Sequence, residues 1–285
     1  MSFASILTVL TGVNDDALAL LSAAHMARAA HGQVKAVLAP PLAVVGDWAA
    51  MPDGFGAPAA LLEASRQAQA DLRRGVEAMA RDITQQLGLE SDENAGRIVL
   101  VEEQSALALD LSRLTLFTDL VVVGRVTLVS LGLWSGLLAD ALLLAQTPIL
   151  VISAAPGDFA APAAIAWNGS PAAARAVRAA IPLLKAASRV VILQDPAHLR
   201  ARDRENAQPE RLADYLRLHG VNNLEVRSLA GGSRGDGLAR QAQACEAGLL
   251  VAGAFEHSRL REDILGGITA SLIAESRTLN LLLAH

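Results

Sequence analysis

A chain of 285 residues, 52% hydrophobic and 19% charged, can build a full core and has room for one large domain or two of ordinary size. Its net charge of −5 gives no basic footprint, which argues against a nucleic-acid partner. Aromatic residues make up only 3%, so the core must be aliphatic; the single cysteine, Cys245, excludes an internal disulfide and fits a reducing compartment, the cytoplasm.

The opening MSFASILTVLTG has neither a positive start nor a small-residue cleavage site, so no signal peptide is expected. A strand near Ile6–Leu10 leads to a helix near Asp15–Ala30, with Gly32 just past its end as a stop. Val34–Ala39 reads as a second strand. A loop from Pro40 to Pro58 follows, carrying Trp48, Met51 and Phe55, and then a long helix from Ala59 to Leu87 that Gly88 ends. Ile98–Val101 is a strand, Ala106–Leu116 a helix, Leu120–Val123 a strand, Leu133–Ala145 a helix and Ile149–Ile152 a strand. The apolar run from Leu128 to Ser153 is long enough to suggest a membrane span, which needs roughly 20 apolar residues. Asp140 in mid-run and Pro148 near its end favour a buried helix followed by a buried strand, and no membrane partner is expected.

The order then repeats. Strands are expected near Ala164–Trp167, Val190–Leu193, Leu224–Leu229, Leu249–Ala252 and Leu281–Leu283, and helices near Ala172–Ala186, Pro209–His219, Leu238–Glu246 and Gly267–Glu275. TDLVVVG from Thr118 is echoed by AGLLVAG from Ala247, and TPILVIS from Thr147 by LNLLLAH from Leu279. Between the repeats, Ala154–Pro162 has the composition of a linker, so two domains are expected, 1–156 and 157–285. Uniformly apolar strands alternating with helices mean parallel strands covered on both faces, hence two doubly wound five-stranded α/β domains in tandem.

Chemistry is sparse. The histidines show no metal-ligand spacing, there is no CxxC and no G-x-S-x-G elbow, and nothing pairs two carboxylates. No catalytic or metal-binding residue is assigned. GGSRGDG from Gly231 lacks the spacing and the lysine of a phosphate loop and reads as a turn. Glycines after Leu249–Ala252 are the exception, because glycine at a strand's carboxyl end lets a backbone approach a ligand closely.

IAWNGSPAAARAVRAAIPLLKAASRVVIL, from Ile165, resembles the opening of a universal stress protein domain, and LLVAGAFEHSRLREDILGGIT resembles that family's nucleotide loop, G-x2-G-x9-G-[ST]. Gly253 and Gly266 match; Glu256 stands where the family has glycine, and Gly267 where it has Ser or Thr. The resemblance covers nearly all of the second half and, more weakly, the first. It implies a tandem universal stress protein with the nucleotide-binding α-hydrolase-like fold, acting as a binding or signalling module in a stress response. The implied ligand is ATP, with Mg²⁺, or AMP. The implied contacts are Trp167, Asn168, Gly169 and Ser170 after the opening strand, and Gly253, His257, Ser258, Arg259, Gly266, Gly267 and Thr269 after the fourth.

Asn168 replaces the family's acidic residue and loses a charge-assisted bond to the adenosine part, while Glu256 sets a carboxylate near phosphate. A scaffold without nucleotide, working through an unidentified protein partner, therefore stays open beside the nucleotide reading. Slow ATP hydrolysis through His257 or Glu256 has no base–nucleophile pair behind it. The first half, with Thr11 at the acidic position and no spaced glycines after Gly124, is expected to hold no ligand. The family also pairs domains through the strands that correspond to Ile149–Ile152 and Leu281–Leu283, so the two halves are expected to pair there as a pseudo-dimer.

Overall fold

The computed structural model describes residues 3–12, 15–38, 59–89, 97–101, 113–130, 140–153, 159–199, 204–229, 235–254, 271–273 and 278–285. The loop expected over Pro40–Pro58 lies outside them, as do large parts of the helices expected over Ala106–Leu116, Leu133–Ala145 and Gly267–Glu275.

Among the described residues ten strands make one sheet: β1 (Ser5–Leu10), β2 (Gln33–Leu38), β3 (Arg97–Val101), β4 (Leu120–Gly124), β5 (Ile149–Ile152), β6 (Ala163–Ala166), β7 (Val190–Gln194), β8 (Leu224–Ser228), β9 (Leu249–Gly253) and β10 (Asn280–Ala284). Their order is β3-β2-β1-β4-β5-β10-β9-β6-β7-β8. Neighbours within each half are parallel, with Ile6 level with Val34 and Leu120, and Ile165 level with Ile192 and Val251. The halves meet at an antiparallel pair in which Leu281, Leu282 and Leu283 of β10 face Val151, Leu150 and Ile149 of β5. The second half is thus related to the first by a half-turn normal to the sheet.

The strands next to that junction are apolar because both their faces are covered. β4, β5 and β10 are buried along their whole length, while the outer strands β3 and β8 are half-exposed. On β8, Glu225 pairs with Arg189 and Arg227, and such charges discourage another strand from adding to an open edge.

Helices α1 (Asp16–Ala29), α2 (Ala59–Leu87), α4 (Pro171–Ala186) and α5 (Pro209–Leu218) bury their apolar sides on one face of the sheet. The other face carries α3 (Arg125–Ser130), a π-helical turn at Asp140–Leu144, α6 (Gly235–Ala244) and the turn at 271–273. Each face is one apolar layer running through both halves, so the core does not divide at the linker. Arg125 strengthens the join by donating from Nε to the carbonyl of Ile273 at 2.9 Å. Among the described residues no helix is long and apolar enough to cross a membrane.

Candidate functional site

In each half the order runs 3-2-1-4-5, so the sheet changes direction between its first and fourth strands. The crevices outside the carboxyl ends of β1 and β4, and of β6 and β9, are where such sheets bind ligands. The strands of the two halves are antiparallel at the junction, so the crevices open at opposite ends of the sheet.

In the first half the crevice is filled by the chain's own carboxylates. β1 ends in a turn at Gly12, whose φ of 84° suits glycine. Asp16 is completely buried, and its Oδ2 accepts from the backbone N–H groups of Thr11 and Gly12, both at 2.6 Å. The hydroxyl of Thr127, also fully buried, lies 2.7 Å from Asp16 Oδ1 and 3.1 Å from Asp15 Oδ1. Asp15 precedes α1 without capping it; its Oδ2 instead accepts from the N–H of Val126, in the first turn of α3.

Gly124 is what makes room: a Cβ there would stand 2.4 Å from the Asp15 carboxyl carbon. Burial pushes the Asp16 carboxyl up from its ordinary value. The Thr127, Thr11 and Gly12 donors oppose that push and the Asp15 charge adds to it.

The second half is built differently at each matching position. β6 leads through Trp167 and Asn168 to Gly169, with φ 75°, and α4 begins at Pro171, a shorter path than the one from Gly12 to Asp16. Ser170 caps α4, its Oγ accepting from Ala173 N at 3.2 Å, and Asn168 Oδ1 accepts from Ser170 N at 3.1 Å. Gly253 ends β9 against this first turn, since a Cβ there would stand 2.6 Å from Ala173 N. Backbone of α4 therefore lies over Gly253 where a carboxylate lies over Gly124. Arg175 Nε donates to the His285 carbonyl at 2.5 Å, and His285 Nδ1 lies 2.9 Å from the Ala254 carbonyl, tying α4 to the ends of β9 and β10.

Of the expected contacts, Asn168, Ser170 and Gly253 come together at this crevice through the first turn of α4, while Gly169 lies against the backbone of Ala207. Trp167 turns to the α4–α5 side, where its indole N–H donates to Ala207 O at 3.1 Å. His257, Ser258, Arg259, Gly266, Gly267 and Thr269 lie outside the described residues, as does Glu256. The carboxylate pair expected nowhere is Asp15 and Asp16. Its sequence signal is two adjacent acids just before a helix, which by themselves read as ordinary first-turn acids. Helix α3 was also not expected, because Val126, Thr127 and Val129 have low helix propensity.

The residues present fit a nucleotide unequally. Two carboxylates at the first crevice would repel phosphate. At the second, no carboxylate lies among the described residues of the β6 turn or the end of β9; Asp195, after β7, is occupied in capping Ala197 N at 3.0 Å.

No family model matches the chain, and no curated protein matches it. Solved structures do. A universal stress protein from Archaeoglobus fulgidus DSM 4304 superimposes with a TM-score of 0.67 at 12% identity, over 98% of this chain and 95% of that one. A universal stress protein of Pseudomonas aeruginosa UCBPP-PA14 gives 0.59 at 15%, over 99% and 93%. The cytoplasmic domain of a prokaryotic cation chloride cotransporter gives 0.52 at 10%, over 99% and 95%. Identities this low carry the fold and not the activity. The chain shares the fold of these universal stress protein structures over nearly its whole length, and here it forms two five-stranded α/β halves that share one sheet.

Proposed function

We propose that the chain is a binding and signalling module of the universal stress protein type, with domains at 1–156 and 157–285 held as a pseudo-dimer, and that its one adenine-nucleotide site lies in the second. The difference between the crevices carries this reading: Asp15 and Asp16 fill the first, whereas the second is bounded by Asn168, Ser170 and Gly253 with no carboxylate among the described residues. Gly253 and Gly266 keep two positions of the nucleotide loop in sequence, and Thr269, Arg259 and Arg261 follow where phosphate would need partners. ATP would bring Mg²⁺ with it; AMP would not need it. The buried free thiol of Cys245 suits action in the cytoplasm.

Thermal unfolding with excess ATP and Mg²⁺, repeated with AMP, tests the proposal. Ligand at about 100 times its dissociation constant adds about 2.7 kcal/mol, a rise of roughly 2 to 8 °C for domains of this size. The rise should vanish in Gly266→Val and persist in Asp15→Asn. A rise lost in Asp15→Asn and kept in Gly266→Val would place the ligand in the wrong half. No rise at millimolar nucleotide would favour the protein scaffold, the reading supported by the engagement of Asn168 in its own turn.

A further inference from the structure

We propose a second ligand site, separate from the nucleotide crevice: the groove between α4 and α5, which takes a small planar aromatic acid. The groove has a volume of about 240 Å³. That is below the usual range for drug-sized ligands and suits a body of one or two rings. Val177 and Leu212 give it apolar walls, Trp167 and Tyr215 give it aromatic surface, and Arg178 and Arg211 stand on it from opposite helices.

Three features point to an aromatic anion. The indole N–H of Trp167 is already used by the Ala207 carbonyl, and Trp167 is 9% exposed, so what it offers the groove is carbon surface. Arg178 and Arg211 are both exposed, and among the described residues neither pairs with a carboxylate. Among the described residues Arg211 reaches the backbone carbonyl of Glu205, at 3.4 Å, whereas Arg189, Arg217 and Arg227 each hold an acid. On α5 itself, Asp214 is taken by Arg217 at 2.7 Å, and Glu210 does not line the groove. Two like charges facing one cavity favour an anion between them, and a planar carboxylate matches the guanidinium fork while its ring lies on the aromatic surface.

The groove is not the crevice seen from another side. Ala172 and Ala173 of α4 face Gly253, whereas Ala174, Val177 and Arg178 face the groove.

Calorimetric titration of the full chain with 2-naphthoate tests the site, with uncharged 2-naphthamide as control. Naphthoate should bind saturably with one equivalent. The Arg178→Ala, Arg211→Ala double variant should bind about tenfold more weakly or worse, with an unchanged melting midpoint because both side chains are exposed. Ala174→Trp should fill the groove and abolish binding, and saturating AMP should leave the naphthoate affinity unchanged. Absence of saturation at several millimolar, equal binding by the double variant, equal binding of the amide, or competition by AMP would each overturn the proposal. Apart from competition by AMP, none of these outcomes bears on whether nucleotide binds at Gly253.

Discussion

Asp16 accepts two backbone N–H groups on one oxygen and the Thr127 hydroxyl on the other, with no cation among its described partners. Burial and the neighbouring Asp15 hold its folded-state value above the ordinary one. The sign of the pH effect follows. Below the unfolded value both states keep the proton. As the pH rises past it, the unfolded chain loses its proton first, so stability falls until the folded value is passed and then levels off. Asp16→Asn should lack this fall. Its amide oxygen can serve the Thr11 and Gly12 donors, and its NH₂ can face Asp15 and Thr127. In urea unfolding, the variant should therefore gain on the wild type as the pH rises from about 4 toward neutrality. Asp16→Ala should lose about 1–3 kcal/mol across that range, because the buried N–H of Thr11 is left without its acceptor. Parallel pH curves for wild type and Asp16→Asn would show that folding leaves the titration of this carboxyl unchanged.

Among the elements, the end of β9 shows why a glycine need not signal a ligand. Gly253 has no left-handed backbone; it is glycine because α4 begins against it. A methyl there meets backbone at 2.6 and 2.9 Å, which cannot swing aside as a side chain could. Gly253→Ala should thus cost on the order of 1–3 kcal/mol, read as a lower melting midpoint without nucleotide. Gly248→Ala, whose methyl meets only the Ala161 methyl at 3.0 Å, should cost less. Equal midpoints for the two variants would return Gly253 to a ligand role alone.

The same contrast marks what could be read from the chain. Strands such as LVVVG and LLVAG announce themselves, because a strand covered on both faces must be apolar throughout. Helix ends were legible at Gly32 and Gly88, and the start of α2 at Ala59. Helix α3 was not, since tertiary burial of Thr127 and Leu128 overrides the weak propensity of its β-branched residues. Nor was the inward turn of Asp15 and Asp16, which depends on the longer path into α1 and on a donor more than a hundred residues away. The resemblance to a nucleotide loop rests on glycine spacing alone, and all of it past Ala254 lies outside the described residues around the turn at 271–273.

At the scale of the whole molecule, the antiparallel joint between β5 and β10 decides how the halves can exist apart. Leu282 sits opposite Leu150 at its centre and is fully buried, so removing the first half would bare an apolar edge at β10. Antiparallel pairing of a strand with its own copy is self-complementary, the requirement for a closed two-fold dimer. Residues 157–285 expressed alone should therefore dimerise through β10 about Leu282, rebuilding a ten-stranded sheet from two second halves. Light scattering behind a sizing column should give the mass of two fragments, and Leu282→Arg should give monomer or unfolded chain. The full chain should run as a monomer under the same conditions so far as this edge is concerned, because β5 already occupies β10. A fragment that stays monomeric and folded with Leu282 intact would mean that the apolar edge is covered from within its own half. The joint would then be a contact between two independent domains, and the continuous core drawn across it would lose its energetic meaning.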